Sequence, residues 1–193
     1  FRRYIALAPI FISAILGCKA ASDVEVPGQV TQDPYDVQVG PYTADIRWTS
    51  FGIPHIIADD YGSVGYGSGY ALARDHVCTL ADQIVMVRSE RSRYFGADHI
   101  DSDFALKALR MVRYAEDGFL GLDDDLRAAI VGYAEGYNRY IEEVGPEGLP
   151  VECRGAEWVK PVTHIDLLAY YLFLGQSSSG DVLADLIAQA QPP

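Results

Sequence analysis

Three consecutive serines, Ser177 to Ser179, are the most obvious candidate nucleophiles in this sequence. A hydrolytic site also needs a base and an oxyanion hole in the same pocket. The chain contains four histidines, and none has a reason to lie beside these serines. No Gly-x-Ser-x-Gly turn, which would present a serine between a strand and a helix, occurs either. The sequence therefore predicts no complete catalytic site within this chain.

Two further groups of residues could bind metals. His76 and Cys78 are two positions apart, and side chains at that spacing on a helix do not face one another. No second pair of ligands follows at the spacing of a zinc site. The aspartates at 101 and 103 and at 123–125 lack the glycine and distal glutamate of a calcium loop. We predict no metal and no cofactor.

A glycine-rich segment, Gly65-Tyr-Gly-Ser-Gly69, precedes a helical pattern and resembles a phosphate-binding loop in composition alone. It lacks the Gly-Lys-Ser/Thr ending and the strand–helix–strand context that such loops require. The favoured interpretation is that these glycines let a helix pack closely on a neighbouring sheet.

The first residues are typical of an export signal. Arg2 and Arg3 precede an uncharged apolar run that ends at Gly17, and this run is too short to span a bilayer stably. The residues Ile15-Leu-Gly-Cys18 resemble a bacterial lipobox, so we predict a signal peptide over 1–17, lipidation of Cys18 and a flexible tether over 18–41. The chain would then lie on the periplasmic face of a membrane. A signal cleaved elsewhere, giving a periplasmic or secreted protein, and a buried apolar segment are the alternatives.

Charge and cysteine content limit the possible binding partners and the cellular environment of the rest of the chain. A net charge of −12 excludes nucleic-acid binding, which needs a basic surface. Export leaves only Cys78 and Cys153 for the folded domain, in an oxidising compartment where disulfides form. A disulfide between them is the natural hypothesis, and two free buried thiols are the alternative.

The hydrophobic pattern predicts an α+β domain over 42–193. Residues 42–48 and 53–57 are predicted to form a β-hairpin, with Pro54 at an edge or at the start of its strand. Helices are predicted from the glycine-rich segment to Gly96, over 103–112, from Asp123 to Gly145, and from His164 to about Gln189. Thr163 is the predicted cap of the last helix. Residues 167–174 are apolar on every face, which predicts deep burial.

An ordered series of short motifs runs through most of this domain. They are Phe51-Gly-Ile-Pro-His-Ile56, Tyr66-Gly-Ser-Gly-Tyr-Ala-Leu-Ala-Arg-Asp75, Arg88-Ser-Glu-Arg-Ser-Arg-Tyr-Phe-Gly96, Gly132-Tyr-Ala-Glu-Gly-Tyr-Asn138 and Trp158-Val-Lys-Pro-Val-Thr163 with Asp166. In this order and spacing the series resembles the α-chain region of the penicillin acylase family of N-terminal-nucleophile hydrolases. The likeness is greatest to the branch that contains acyl-homoserine-lactone and aculeacin acylases. The stretches around Cys78 and Cys153 also look like that branch's paired cysteines.

The resemblance implies a fold and a mechanism. The whole enzyme would be a four-layer αββα sandwich, to which this mostly helical part contributes a hairpin. A self-cleaving precursor would release a β chain whose N-terminal serine is the nucleophile, so no catalytic residue lies here. Family resemblance places Tyr170, Phe173 and Leu174 in the acyl pocket. Some members bind calcium through a glutamate after the serines, where this sequence has Gly180 beside Asp181, and we predict no calcium.

Two functions follow as hypotheses. The first is one half of an enzyme that hydrolyses the amide of an N-acylated small molecule, such as an acyl-homoserine lactone, a lipopeptide or a β-lactam. Its partners would be its own β chain, the small substrate and, through the anchor, the membrane. The alternative is a lipid-anchored, non-enzymatic binding or scaffold protein that kept the α-type fold.

Overall fold

The computed structural model describes residues 35–39 and 42–189, and it describes side chains for residues 42–178. The predicted signal peptide and the predicted lipidation site at Cys18 lie outside the described residues. The elements are β1 (Tyr35–Val39), β2 (Tyr42–Trp48), β3 (Pro54–Ile57), α1 (Tyr61–Val87), α2 (Arg91–Phe95), a 3-10 turn (Ala97–His99), α3 (Ile100–Leu109), α4 (Met111–Phe119), α5 (Asp124–Gly148) and α6 (His164–Gln189). The predicted fold class, mostly helical with a hairpin near the start, is confirmed.

The predicted hairpin is formed by β2 and β3, which pair antiparallel with Ile46 opposite Ile56. Its turn is closed by a 3.0 Å hydrogen bond from the Thr49 N–H to the Ile53 carbonyl. Pro54 is the first residue of β3, as its missing N–H requires. A third strand, β1, pairs with β2 on its other side. Strand pairing therefore begins within the segment predicted as a tether, where apolar residues alternate over 35–39.

The sheet packs on α1 through alternate residues of β2. Ala44, Ile46 and Trp48 are buried and contact a cluster on α1 that includes Tyr66 and Tyr70. Side chains of a strand alternate between its two faces, so this pattern directs one face of β2 into the core.

Helices α1 and α5 pack closely enough for their backbones to touch. A Cβ atom on Gly65 or Gly69 of α1 would overlap the carbonyl oxygen of Ala129 or Tyr133 on α5. A Cβ on Gly132 or Gly136 of α5 would likewise overlap carbonyl oxygens of α1. The predicted packing of α1 glycines on the sheet holds for Gly67, where a Cβ would lie 2.7 Å from the Ile56 side chain. For Gly65 and Gly69 it is wrong, because their close neighbour is a helix.

Replacing Gly136 with alanine should lower the free energy of unfolding by about 1 to 3 kcal/mol, since the methyl group meets backbone that cannot rotate away. The matched control is Gly118→Ala in α4, where a Cβ meets nothing within 4 Å. At position 118 the alanine should raise the free energy of unfolding by about 0.5 to 1 kcal/mol. Urea unfolding monitored by circular dichroism measures both variants. Equal effects of the two substitutions would contradict this packing.

The predicted first helix is wrong in its end point. Helix α1 stops at Val87, and a short α2 follows, whereas the sequence predicted one helix to Gly96. Ser89 adopts a left-handed conformation with φ 59, and Glu90 N–H donates to the Val85 carbonyl at 3.0 Å. A left-handed residue followed by such a hydrogen bond commonly ends a helix, but the left-handed residue is usually glycine. Because serine occupies the position, the sequence carried no signal for the break.

Two other helix boundaries also differ from the prediction. The helix predicted over 103–112 is α3, which begins at Ile100 and ends at Leu109; left-handed Arg110, with φ 56, separates it from α4. Helix α5 was predicted to end at Gly145 and continues to Gly148. Gly145 still marks a change of direction, because its φ of 62 is not helical.

Helix α6 begins where the sequence predicted. The Thr163 hydroxyl accepts a hydrogen bond from Asp166 N–H at 3.1 Å, and the Asp166 carboxylate accepts one from Thr163 N–H at 2.7 Å. This reciprocal pair is a capping box. The prediction of deep burial over 167–174 is only half right. Leu167, Leu168 and Ala169 are buried, but Tyr171, Leu172 and Leu174 are 44%, 39% and 39% exposed. The second half of this stretch is therefore partly open to solvent.

Candidate functional site

A largely apolar cavity of about 490 Å³ opens between three helices. Its walls are residues of α1, α5 and α6, namely Leu72, His76, Thr79, Leu80, Gln83, Tyr133, Leu167, Tyr170 and Tyr171. Concave sites with aliphatic and aromatic walls and a few polar groups are the usual form of small-molecule sites. This cavity is the candidate functional site.

The three predicted acyl-pocket residues are not brought together. Tyr170 lines the cavity. Phe173 is half-buried and packs against the main hydrophobic core, and Leu174 is partly exposed. Neither Phe173 nor Leu174 lines the cavity. The hydroxyls of Ser177 and Ser178 are also exposed, and they donate to the Leu174 carbonyl at 3.1 and 2.7 Å.

Two tyrosines of the site were missed by the sequence analysis. Tyr133 on α5 and Tyr171 on α6 both line the cavity beside Tyr170. Burial, and then the neighbouring Tyr171 and Tyr170, raise the pKa of Tyr133 far above its ordinary value of 10.0. Burial, and then Tyr170, also raise the pKa of Tyr171. Both hydroxyls therefore stay neutral at physiological pH. Leu167, Tyr170 and Tyr171 are three and four residues apart, which was the available signal that they share a face.

The α1 wall of the cavity is shaped by a kink. His76 has φ −142 and ψ 30, outside helical values, and its side chain lines the cavity. Thr79 and Gln83 follow at helical spacing and line the same wall. We call His76, Thr79 and Gln83 the polar stripe. No sequence signal marked the kink, because His76 is neither proline nor glycine.

A disulfide joins this wall to the rest of the domain. Cys78, two residues after the kink, is bonded to Cys153, and their Cα atoms are 5.6 Å apart. Cys153 lies in the loop between α5 and α6. Hydrogen bonds from Asn138 of α5 also fix this loop. The Asn138 side chain donates to the Val162 carbonyl and accepts from the Val162 N–H, both at 2.8 Å. The α1 wall is thus tied covalently to an anchored loop.

A buried ion pair holds the start of α6 against the end of α1. Arg88 donates two hydrogen bonds to the Asp166 carboxylate, from Nε at 2.8 Å and from Nη2 at 2.7 Å. Burial by itself raises the pKa of Asp166, but hydrogen bonds from Arg88 and Thr163 outweigh it and hold the pKa below its ordinary value of 3.8. The pair fixes the helix that carries Leu167, Tyr170 and Tyr171.

The described residues offer neither a cluster of metal ligands nor a membrane-spanning helix. Within residues 42–178, no group of three or more His, Cys, Asp or Glu side chains could hold a metal ion. None of the helices that the structure describes is long and apolar enough to cross a membrane.

The penicillin amidase family model matches residues 43–192 of the chain. The acyl-homoserine lactone acylase PvdQ of Pseudomonas putida is 40% identical over 170 residues, which are 81% of this chain and 22% of that protein. Aculeacin-A acylase of Actinoplanes utahensis is 38% identical over 167 residues, which are 80% of this chain and 21% of that protein. The chain thus spans about a fifth of the length of these curated relatives.

A solved structure has a similar fold. The thermostable penicillin G acylase from Alcaligenes faecalis superposes with a TM-score of 0.66 and 25% identity. The superposition covers 75% of this chain and 76% of the matched chain, so the two chains are of comparable length.

Proposed function

Since the chain belongs to the penicillin amidase family, we propose that it is the N-terminal part of a self-processing enzyme that hydrolyses N-acylated small molecules. The reaction breaks the amide C–N bond and adds water across it, so that a carboxylic acid and an amine leave. The similarity to PvdQ and to aculeacin-A acylase favours acyl-homoserine lactones and lipopeptides as substrates. The likeness to a penicillin G acylase keeps β-lactams among the candidates.

The observation that carries the proposal is the cavity between α1, α5 and α6. Its walls are largely aliphatic and aromatic, and Tyr170, one of the three residues placed in the acyl pocket by family resemblance, lines it. Large apolar side chains suit a hydrocarbon or aromatic acyl chain. We assign this cavity to the acyl group of the substrate.

The catalytic groups would come from a downstream β chain. A nucleophile supplied by an N-terminal serine, with its own α-amine as base, is an established variant of the nucleophile–base pair. The exposed apolar residues Tyr171, Leu172 and Leu174 continue along α6 from the cavity. We propose that the β chain packs against this part of the helix and brings the serine to the mouth of the cavity.

The test is a comparison of this chain alone with the full-length precursor. Each is purified and incubated with an N-decanoyl amide, and released decanoate is measured by mass spectrometry. We expect release only by the precursor, after it has been cut into two chains. Tyr170→Ala should lower kcat/KM about tenfold or more, since it removes part of the acyl wall. Leu120→Ala, which truncates an exposed side chain that does not line the cavity, is the matched control.

Two outcomes would contradict this function. One is a precursor that is cut but releases no acyl group from any N-acylated substrate. The other is full activity after replacement of the β-chain N-terminal serine by alanine. Unchanged kinetics in Tyr170→Ala would overturn the assignment of the cavity alone.

A further inference from the structure

The loop between β2 and β3 ends in two exposed apolar side chains. We call residues 49–53 the hairpin tip. Phe51 is 91% exposed, the highest value among the large apolar side chains of the described residues, and Ile53 is 58% exposed. Neighbouring apolar side chains that remain open to solvent mark surfaces that contact a partner or a membrane. The hairpin tip is therefore a candidate contact surface.

The backbone of the hairpin tip is hydrogen-bonded within the turn. The Thr49 hydroxyl accepts from the N–H groups of Phe51 at 3.3 Å and Ile53 at 3.1 Å. The Thr49 carbonyl accepts from the Gly52 N–H at 2.9 Å. An unpaired N–H is costly in an apolar layer, and these three N–H groups are already paired. The turn thus presents Phe51 and Ile53 on a preformed support.

The charge around the hairpin tip differs from that of the whole chain. Residues 46–58 include no aspartate or glutamate, although the chain has 27 of them and a net charge of −12. Exposed arginines lie at this end of the sheet: Arg47, which pairs with Asp45, and Arg74, whose guanidinium lies 4.1 Å from the centre of the Trp48 ring. A membrane surface with anionic lipids attracts arginine and repels carboxylates. This end of an acidic chain therefore suits such a surface.

The strand order brings the predicted tether to the same end of the sheet. Tyr35, the first residue of β1, pairs with Ile46, and Val39 pairs with Tyr42. Because β1 and β2 are antiparallel, the chain enters β1 near the end of β2 that leads into the hairpin tip. A lipid anchor upstream of β1 would hold the tip close to the bilayer. The high local concentration that results makes even a small contact effective.

We infer that the hairpin tip is a membrane-contact surface, at which Phe51 and Ile53 enter the interfacial layer of a phospholipid bilayer. The contact adds a second point of attachment to the predicted anchor and fixes which face of the domain turns away from the membrane. Stable attachment of a peripheral protein takes two such signals. The inference goes beyond the proposed function and does not depend on the substrate.

The test uses the full-length processed protein held on vesicles by its N-terminus. Residues 1–18 are replaced by a cleavable secretory signal and a histidine tag. The vesicles contain phosphatidylethanolamine, phosphatidylglycerol, a nickel-chelating lipid and a lipid-borne quencher. A fluorophore is attached at Ser50→Cys in the tip or at Glu116→Cys in α4, and both positions are exposed. We expect quenching of the label at position 50 and not at position 116.

The decisive variant combines Phe51→Ser and Ile53→Ser. It removes both apolar side chains and keeps the backbone hydrogen bonds of the turn, so quenching at position 50 should fall about tenfold. The matched control combines Leu120→Ser and Leu126→Ser, which removes side chains that are 80% and 49% exposed outside the hairpin. The control should leave the quenching at position 50 unchanged. An unchanged urea midpoint shows that each variant is folded.

Three outcomes would overturn the inference. Quenching at position 50 that persists in the double-serine tip variant would come from the tether alone. Equal quenching at positions 50 and 116 would show no preferred orientation. Absence of quenching in the unsubstituted tip, together with impaired processing or an altered mass in solution of the tip variant, would assign the tip to the downstream chain or to a second copy.

Discussion

Replacing Asp166 with alanine should lower the free energy of unfolding by about 3 kcal/mol, because the partly buried Arg88 guanidinium then keeps only the Pro161 carbonyl as a partner. Both Asp166 oxygens accept hydrogen bonds from Arg88, and one also accepts from the Thr163 N–H and hydroxyl. The substitution therefore removes the ion pair and the helix cap together. Urea unfolding at pH 7 measures the loss.

The matched control is the exposed pair Arg113–Asp117 on α4, whose atoms are 2.9 Å apart. Solvent screens such pairs, so Asp117→Ala should cost no more than about 0.5 kcal/mol. Equal costs for the two alanine variants would contradict a structural role for burial of the Asp166 pair.

The contribution of Asp166 should also depend on pH. Its folded pKa lies below its ordinary value of 3.8, so the folded state binds this proton less readily than the unfolded state. The stabilisation is therefore fully present above that ordinary value and is lost as the pH falls through the folded pKa. We expect the stability difference between the wild type and Asp166→Asn to be constant near pH 7 and to shrink below about pH 4. A difference that persists unchanged to pH 2 would contradict the ionised carboxylate.

Loss of the disulfide should have an effect of similar size. The bond between Cys78 and Cys153 spans a sequence separation of 75 residues, and closing such a loop limits the freedom of the unfolded chain. The double variant Cys78→Ala, Cys153→Ala should lose about 4 kcal/mol of unfolding free energy. The double variant leaves no free thiol, so its loss cannot come from mispairing.

Chemical reduction gives an independent measurement. Cys153 is 1% exposed but Cys78 is only partly buried, so a small reductant can attack the bond at the Cys78 sulfur. Reduced wild type and the double variant should unfold at the same urea concentration. Mass mapping under non-reducing conditions that finds both thiols alkylatable in the native protein would contradict the bond.

The parts of the fold that could be predicted are those set by local chemistry. The start of α6 follows from Thr163 and Asp166, which cap the helix within four residues of sequence. The hairpin follows from alternating residues around a glycine turn. The end of α1 after Val87 could not be predicted, because the residue in the left-handed conformation there is Ser89. A glycine usually occupies this position and would have indicated the helix end.

The candidate site was predictable only in part, because it is made by three helices that are distant in sequence. Tyr170, which family resemblance assigns to the acyl pocket, lines the cavity. Phe173 and Leu174, which the same resemblance assigns to the acyl pocket, are not among the residues that line this cavity. Tyr133 lines the site only because α5 lies against α1 and α6. The polar stripe depends on the kink at His76, which no proline or glycine in the sequence indicates.

The glycine contact between α1 and α5 has a consequence for how this protein can evolve. Where two side chains pack together, a larger residue on one side can be offset by a smaller one on the other. At Gly65, Gly69, Gly132 and Gly136 the opposing atoms are main-chain carbonyls, which every amino acid carries. No second-site substitution can make room for a side chain there. These four positions should therefore stay fixed as lineages diverge and show no covariation with one another, although they lie in contact.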